Sequence, residues 1–154
     1  MELENFFKSI NILGDLSSEE IGFLAASSQL IDFPPSAVII KAGEIGRFLW
    51  LVYDGEVEVS LPDETGKERV LASLERGSFF GEMSILTGEP AAANVVSTRS
   101  CKAVKIPREV ISQVVSRNPK TLMKVTRIIT KRLLEDEKFI EEVKERRLAH
   151  SRNE

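Results

Sequence analysis

Residues 79–97 have the sequence FFGEMSILTGEPAAANVVS, which combines several features of a pocket for a small ligand. Gly81 and Glu82 place an acidic residue directly after a glycine, the run from Gly88 to Pro90 predicts a tight turn, and three alanines follow. Glycine tolerates the backbone conformations that tight turns require and lets a backbone approach a ligand closely. No lysine, arginine or histidine occurs anywhere in the stretch. The stretch therefore predicts a pocket for a small polar ligand that supplies no positive charge of its own.

The composition is that of an ordinary globular protein. The chain has 154 residues, of which 42% are hydrophobic and 29% charged, enough for one domain or for one domain with an appended helix. A net charge of −3 gives no general attraction for nucleic acid. The N-terminus lacks the pattern of a secretory signal, and no apolar run approaches the roughly 20 residues that span a bilayer. We expect a cytoplasmic protein with neither a nucleic-acid nor a membrane partner.

The residues that enzymes use for chemistry are scarce. The single cysteine, Cys101, lies in the alternating segment RSCKAVKI and is predicted to be a buried thiol, and the single histidine, His150, lies in the C-terminal tail. Metal-ligand spacings, a phosphate-binding Walker loop and a nucleophile elbow are all missing from the sequence. We predict that the protein is not an enzyme and has no catalytic residues, no metal site and no cofactor.

The N-terminal part is predicted to be helical. Ser17 and Glu20 have the spacing of a capping box, which predicts an amphipathic helix from Ser18 to about Leu30 that ends before two prolines. Upstream lies a second apolar stripe that is predicted to pack on a sheet, formed by Phe6, Phe7, Ile10 and Leu13.

Residues 37–106 alternate between strand and turn patterns. The run FLWLVY is joined to EVEVSL by Asp54 and Gly55, which predicts a β-hairpin. Two later runs, NVVST and CKAVKI, are predicted to pair with each other. Short strands at this spacing indicate a β-sandwich or β-barrel.

Helical patterns return after Pro107. A short helix is predicted from there to a break at Asn118, and a long helix from about Lys120 to about Leu148. The long helix carries an apolar stripe of Leu122, Val125, Ile129, Leu133, Ile140 and Val143. Its first half can pack on its own domain while its charged end stays in solvent, but its length favours dimerisation with a second copy.

Three segments, taken in this order, resemble the cyclic nucleotide-binding domain family. Residues 39–59, IIKAGEIGRFLWLVYDGEVEV, resemble the first hairpin of the family, and residues 80–90, FGEMSILTGEP, resemble its phosphate-binding cassette. Residues 118–134, NPKTLMKVTRIITKRLL, are similar to the hinge and dimer helix of the catabolite-activator type of bacterial regulator. The resemblance covers nearly the whole chain.

The resemblance implies an α+β fold, an antiparallel jelly roll (double-stranded β-helix) with N-terminal helices and with a short and a long C-terminal helix. Residues 1–117 would form the β-roll domain. Residues 118–154 would form the long helix, which serves dimerisation and covers the pocket. The chain contains no helix-turn-helix after this helix, so direct DNA binding is not expected.

The resemblance also implies a set of ligand-binding residues. The family cassette wraps the ribose and the cyclic phosphate of its ligand, with the glutamate accepting a hydrogen bond from the ribose 2′-hydroxyl. The implied positions here are Gly81, Glu82, Met83, Ser84, Pro90, Ala91 and Ala92.

The phosphate-binding arginine of the family corresponds to Ala91, and the hydroxyl-bearing position that follows corresponds to Asn94. Loss of one partner from a buried, charge-assisted pair typically costs about 2–5 kcal/mol. Glu82 is also expected to lack a compensating charge and therefore to repel an anionic ligand.

Arg132 is a candidate for covering the pocket, because its distance from the Asn118 break matches the part of the helix that does so in the catabolite-activator type. It could reach Glu82 or a ligand. The alternative is that Arg132, Asp136 and Glu137 are solvated helix residues paired along the helix.

Two functions remain open. The leading hypothesis is a regulatory sensor that binds cyclic AMP, cyclic GMP or another small ligand with weakened or altered affinity, forms a homodimer through the long helix and is read by an effector protein. The alternative is a degenerate domain that binds no nucleotide and acts as a dimerisation or docking module.

Overall fold

The computed structural model describes residues 2–62, 65–132 and 134–135. The helices are α1 (Glu2–Ser9), a 3-10 turn (Asn11–Leu13), α2 (Ser18–Ser27), α3 (Glu82–Thr87), α4 (Arg108–Ser116) and a C-terminal helix over residues 119–132 and 134–135. The strands are β1 (Gln29–Phe33), β2 (Val38–Ile40), β3 (Phe48–Asp54), β4 (Glu56–Pro62), β5 (Glu68–Glu75), β6 (Phe79–Phe80), β7 (Asn94–Ser97) and β8 (Cys101–Pro107).

The strands form two antiparallel sheets of four strands each. The order is β1-β8-β3-β6 in the first sheet and β2-β7-β4-β5 in the second. Together with the flanking helices they make the jelly-roll-like α+β sandwich that the family resemblance implies. Within the described residues, every helix is too short or too polar to traverse a lipid bilayer.

The predicted Asp-Gly hairpin is wrong, because β3 and β4 lie in different sheets. Val52 and Val57 on either side of the turn are both fully buried in one hydrophobic cluster, so the chain crosses from one sheet to the other. Gly55 has a φ of 92°, and a Cβ there would lie 2.5 Å from the carbonyl oxygen of Ser100. The dipeptide therefore marks a corner of the sandwich, at which burial on two sheets overrides local hairpin pairing.

The predicted pairing of NVVST with CKAVKI is wrong for the same reason. These runs are β7 and β8, which also belong to different sheets. Strand β8 instead pairs with β1 and β3, and β7 pairs with β2 and β4.

Helix α2 ends three residues earlier than predicted. The capping box is confirmed, since the Ser17 and Glu20 side chains each accept a hydrogen bond from the other residue's backbone N–H. Ser28, however, is extended, and Leu30 belongs to strand β1, opposite Val104 of β8. Pairing with β8 satisfies the backbone groups of this segment, which overrides the apolar spacing that suggested a longer helix.

The N-terminal stripe is confirmed as part of the core. Phe6, Phe7, Ile10 and Leu13 are buried in one cluster with residues of β3 and β8. Cys101 is buried in a second cluster inside the sandwich, as predicted, and this burial raises the pKa of its thiol.

The described part of the C-terminal helix packs on its own domain. At the break, Asn118 Nδ2 donates to Glu20 Oε2 at 2.6 Å and to the Val114 carbonyl oxygen at 2.7 Å. Lys124 Nζ lies 2.8 Å from Asp15 Oδ2, and Ile129 is buried in the core.

The rest of the predicted stripe is less buried or is not described. Leu122 is 45% exposed. Leu133, Ile140 and Val143, with Asp136 and Glu137, lie outside the described residues. The boundary at residue 117 between a β-roll domain and a dimerising helix stays a prediction.

Acidification is expected to loosen this attachment. Hydrogen bonds from the Ser17 backbone and the Asn118 side chain lower the pKa of Glu20 below 4.5, and the bond from Lys124 lowers the pKa of Asp15 below 3.8. A carboxylate whose pKa is lowered by folding stabilises the fold above its unfolded pKa, and this contribution is lost as the pH falls through the folded pKa.

The melting temperature should therefore fall as the pH drops below about 4.5, and it should fall less steeply in Glu20→Gln, which keeps the capping geometry without the titrating group. Thermal unfolding followed by circular dichroism measures both. Parallel pH curves for the two proteins would contradict the assignment.

Candidate functional site

A cavity of about 400 Å³ lies between residues 79–97 and strands β4 and β5. Its lining is mainly apolar, with two arginines and two glutamates among the described residues. It is formed by Ile40, Gly46, Val59, Arg69, Val70, Leu71, Ala72, Leu74, Phe80, Gly81, Glu82, Met83, Ser84, Ala91, Ala92, Ala93, Val95, Arg132 and Glu135.

Gly81 shapes the start of the cassette. Its φ is 84°, and a Cβ would lie 3.1 Å from the carbonyl oxygen of Phe48 and 3.4 Å from Cδ1 of Trp50. Both the left-handed backbone and the close approach favour glycine here. Trp50 itself stacks on Phe80, with ring centroids 6.0 Å apart, so it packs within the sheet. The short helix α3 then begins at Glu82 and presents that side chain to the cavity.

Glu82 is 7% exposed and is bound by Arg132 of the C-terminal helix. Arg132 Nη1 lies 2.7 Å from Glu82 Oε1 and donates to the carbonyl oxygen of Phe79, also at 2.7 Å. Its guanidinium carbon lies 4.3 Å from the centroid of the Phe79 ring, within cation–π range. The expectation that Glu82 lacks a compensating charge is therefore wrong, because the C-terminal helix supplies one from 50 residues further along the chain.

Ala91 has a side chain at the cavity and a backbone that is already used by the fold. Its N–H donates to the Glu44 carbonyl oxygen and its carbonyl oxygen accepts from the Gly43 N–H, both at 2.8 Å. Asn94, which follows the alanines, accepts from the Ala42 N–H at 2.8 Å and donates to Glu68 Oε1 at 3.1 Å. The end of the cassette is thereby fixed to the β2–β3 loop and to β5.

Seven of the eight predicted site residues line the cavity together: Gly81, Glu82, Met83, Ser84, Ala91, Ala92 and Arg132. Pro90 is exposed and is not among the lining residues, because it lies in the turn that precedes them. The role of these residues in ligand binding stays a prediction.

Sequence reasoning missed Arg69 and Glu135, which also line the cavity. The position of Arg69 depends on the pairing of β5 with β4, which follows from long-range contacts. The run RVLASL indicates a strand, but Val70, Ala72 and Leu74 are its alternating apolar residues, so the local pattern places Arg69 on the opposite face and gives no signal for the cavity.

The residues that line the cavity carry opposite charges in balance. Glu82 is paired with Arg132, and Arg69 and Glu135 add one charge of each sign. Within the described part of the chain, no group of three or more acidic, histidine or cysteine side chains is placed to hold a metal ion. Balanced charges in a mainly apolar wall suit a small ligand that has both apolar and polar groups.

The family model described as "Cyclic nucleotide-binding domain" matches residues 30–118, which is more than half of the chain. The protein belongs to this family. The part of the chain that this model matches is therefore a regulatory, non-catalytic sensor domain.

Three relatives illustrate the match. A cAMP-dependent protein kinase regulatory subunit from Yarrowia lipolytica is 34% identical over 108 residues, which cover 69% of this chain and 28% of the relative. The structure of Thermus thermophilus catabolite activator protein has a TM-score of 0.72 and 27% identity, covering 84% of this chain and 61% of that one. The regulatory subunit of a cAMP-independent protein kinase A from Trypanosoma cruzi, bound to guanosine, has a TM-score of 0.67 and 26% identity over 82% and 48% of the two chains.

The chain spans about a quarter of the length of the curated kinase subunits that it matches.

Proposed function

We propose that this domain is a regulatory sensor whose cavity binds a purine nucleotide or nucleoside and whose C-terminal helix reports the occupancy. The observation that carries this proposal is the ion pair between Glu82 in the cavity wall and Arg132 on the helix. Glu82 corresponds to the ribose-binding glutamate of the family, and Arg132 lies on the helix that a partner protein would contact. The ion pair therefore links the ligand site directly to that helix.

Glu82 can bind Arg132 and a ligand at the same time. An ionised carboxylate offers about four lone-pair sites, and the bond to Arg132 uses one oxygen, Oε1. A ribose hydroxyl donating to the same carboxylate would add to the network and favour the conformation in which the helix is docked. By linkage, a ligand that binds this conformation better shifts the population towards it.

The ligand class follows from the cassette. Ala91 removes the cation that would pair with a cyclic phosphate, which lowers the affinity for cyclic AMP and cyclic GMP relative to a cassette with arginine. The guanosine-bound relative from Trypanosoma cruzi supports an uncharged nucleoside as a further ligand of this fold. We therefore include adenosine and guanosine among the candidates.

The proposal predicts binding coupled to protection of the C-terminal helix. At least one of cyclic AMP, cyclic GMP, adenosine and guanosine should bind in calorimetry, and its binding should slow amide hydrogen exchange in residues 119–132 of the wild type. In Arg132→Gln the exchange change should be confined to the cavity wall, because the link to Glu82 is missing. Lys131→Gln, which removes the neighbouring exposed cation, is the matched control and should behave like the wild type.

Equal helix protection in Arg132→Gln and in the wild type would refute the coupling. Silence of the wild type towards all four ligands up to millimolar concentration would refute the sensor. That result would leave the alternative, a dimerisation or docking module without a nucleotide.

One observation favours a second copy or an effector protein as partner under either function. Large apolar side chains are exposed on the C-terminal helix at Leu122 (45%), Met123 (57%) and Leu134 (63%). A homodimer through this helix and a cytoplasmic location are part of the proposal.

A further inference from the structure

Arg69 lies in the wall of the cavity although it belongs to neither the cassette nor the C-terminal helix. It is half-buried on β5, the edge strand of the second sheet. Its backbone partner across the ladder is Leu61 of β4. Directly opposed residues of two strands share a face of the sheet, so Arg69 lies on the same face as Leu61.

Glu68, which precedes Arg69 in the chain, has its side chain on the opposite face of the strand. Glu68 accepts hydrogen bonds from the Ser60 hydroxyl at 2.8 Å and from Asn94 Nδ2 at 3.1 Å. Successive side chains alternate between the faces of a strand. The carboxylate of Glu68 is thus held by β4 and β7 on one face, while Arg69 lies on the other.

The sheet register brings Arg69 close to the end of the cassette. Asn94 of β7 lies opposite Ser60 of β4, and the next residue of β4, Leu61, lies opposite Arg69. Arg69 is therefore two strand spacings from β7, or about 10 Å between backbones. The alanines at positions 91–93 lead directly into this part of β7 and line the same cavity.

We propose that Arg69 binds the phosphate of an anionic nucleotide, in place of the arginine that is missing at position 91. A guanidinium presents several donors in a planar fork that matches phosphate oxygens, and it stays charged at all physiological pH values. From its place in the cavity wall, Arg69 would supply a positive charge to the phosphate. This inference rests on the proposed function and narrows its ligand from purine nucleotides and nucleosides to nucleotides, which carry a phosphate.

The test compares cyclic AMP with adenosine, which lacks the phosphate, by calorimetry on the full chain. The wild type should bind cyclic AMP about 10- to 100-fold more tightly than adenosine, the range of one charged hydrogen-bonded contact. Arg69→Gln should lose that advantage for cyclic AMP and keep its affinity for adenosine. Arg99→Gln removes an exposed arginine from the β7–β8 turn, outside the cavity lining, and should leave both affinities unchanged.

Arg69→Lys is the second variant and protects the test against a folding defect in Arg69→Gln. It keeps the charge and loses the planar fork, so its cyclic AMP affinity should fall between those of the wild type and of Arg69→Gln. An unchanged preference for cyclic AMP in the Arg69 variants, or an equal loss for both ligands, overturns the role of Arg69 while the sensor function stands. Failure of the wild type to bind either ligand, or any other nucleoside or cyclic nucleotide, overturns both.

Discussion

Ala91→Arg is expected to raise the affinity of the domain for cyclic AMP by roughly 30-fold to several-thousand-fold, the equivalent of about 2–5 kcal/mol for a charge pair that is largely removed from water. The surroundings of Ala91 favour an arginine side chain at this position. Ala91 lines the cavity, and its backbone is fixed by hydrogen bonds to Gly43 and Glu44. An arginine introduced there starts from a fixed backbone in the wall of the cavity that Gly81 and Glu82 also line, so little ordering of the backbone opposes the new contact.

Calorimetric titration of cyclic AMP into the wild type and the variant measures this gain. Ala91→Gln is the matched control, because it adds a long polar side chain without the charge, and it should gain little or nothing. The expected gain for adenosine is close to zero, since the nucleoside offers no phosphate. A gain of the same size in Ala91→Gln, or tighter binding of cyclic AMP by the wild type than by Ala91→Arg, would show that position 91 does not limit affinity.

Gly55→Ala is expected to lower the free energy of unfolding by about 2–5 kcal/mol. Two costs add at this position. An L side chain at a φ of 92° is strained by roughly 1–2 kcal/mol. The new Cβ would also lie 2.5 Å from the Ser100 carbonyl oxygen and 2.9 Å from Cα of Cys101, and relief of such crowding by backbone shifts typically costs about 1–3 kcal/mol more.

Gly43→Ala separates these two costs. Gly43 has a similar φ of 96°, but a Cβ there would meet no atom within 4 Å. Urea unfolding should therefore show a loss of about 1–2 kcal/mol for Gly43→Ala, well below that of Gly55→Ala. Equal losses of unfolding free energy in the two variants would mean that the backbone at the sandwich corner shifts without cost, so that the contact of the new Cβ with Ser100 and Cys101 is not destabilising.

The strands themselves could be predicted from the sequence, whereas their partners could not. Alternation in EVEVSL and in CKAVKI is a local property of each run, and both runs are strands. Strand pairing depends on which side chains are buried together in the core. Val52 of β3 and Val57 of β4 are buried in the same cluster although their strands belong to different sheets. The Asp54-Gly55 signal reports a reversal of the chain direction and carries no information about this choice.

The candidate site shows the same division. The cassette residues are consecutive in the sequence, so Gly81, Glu82 and Ala91 could be named together from the resemblance. Arg132 could be suggested from the same resemblance, because its distance from Asn118 matches the part of the helix that covers the pocket in the catabolite-activator type. Arg69 could not be found, since its approach to the cavity follows from the register of β4 with both β5 and β7.

The two carboxylate oxygens of Glu20 accept hydrogen bonds from two different parts of the molecule. Oε1 accepts from the Ser17 N–H at the start of α2, and Oε2 accepts from Asn118 at the break before the C-terminal helix. A swing of the C-terminal helix about Asn118 must therefore either pull on the first turn of α2 or give up this bond. A displacement of the C-terminal helix at the cavity would therefore be transmitted to α2 for as long as the bond between Glu20 and Asn118 is kept.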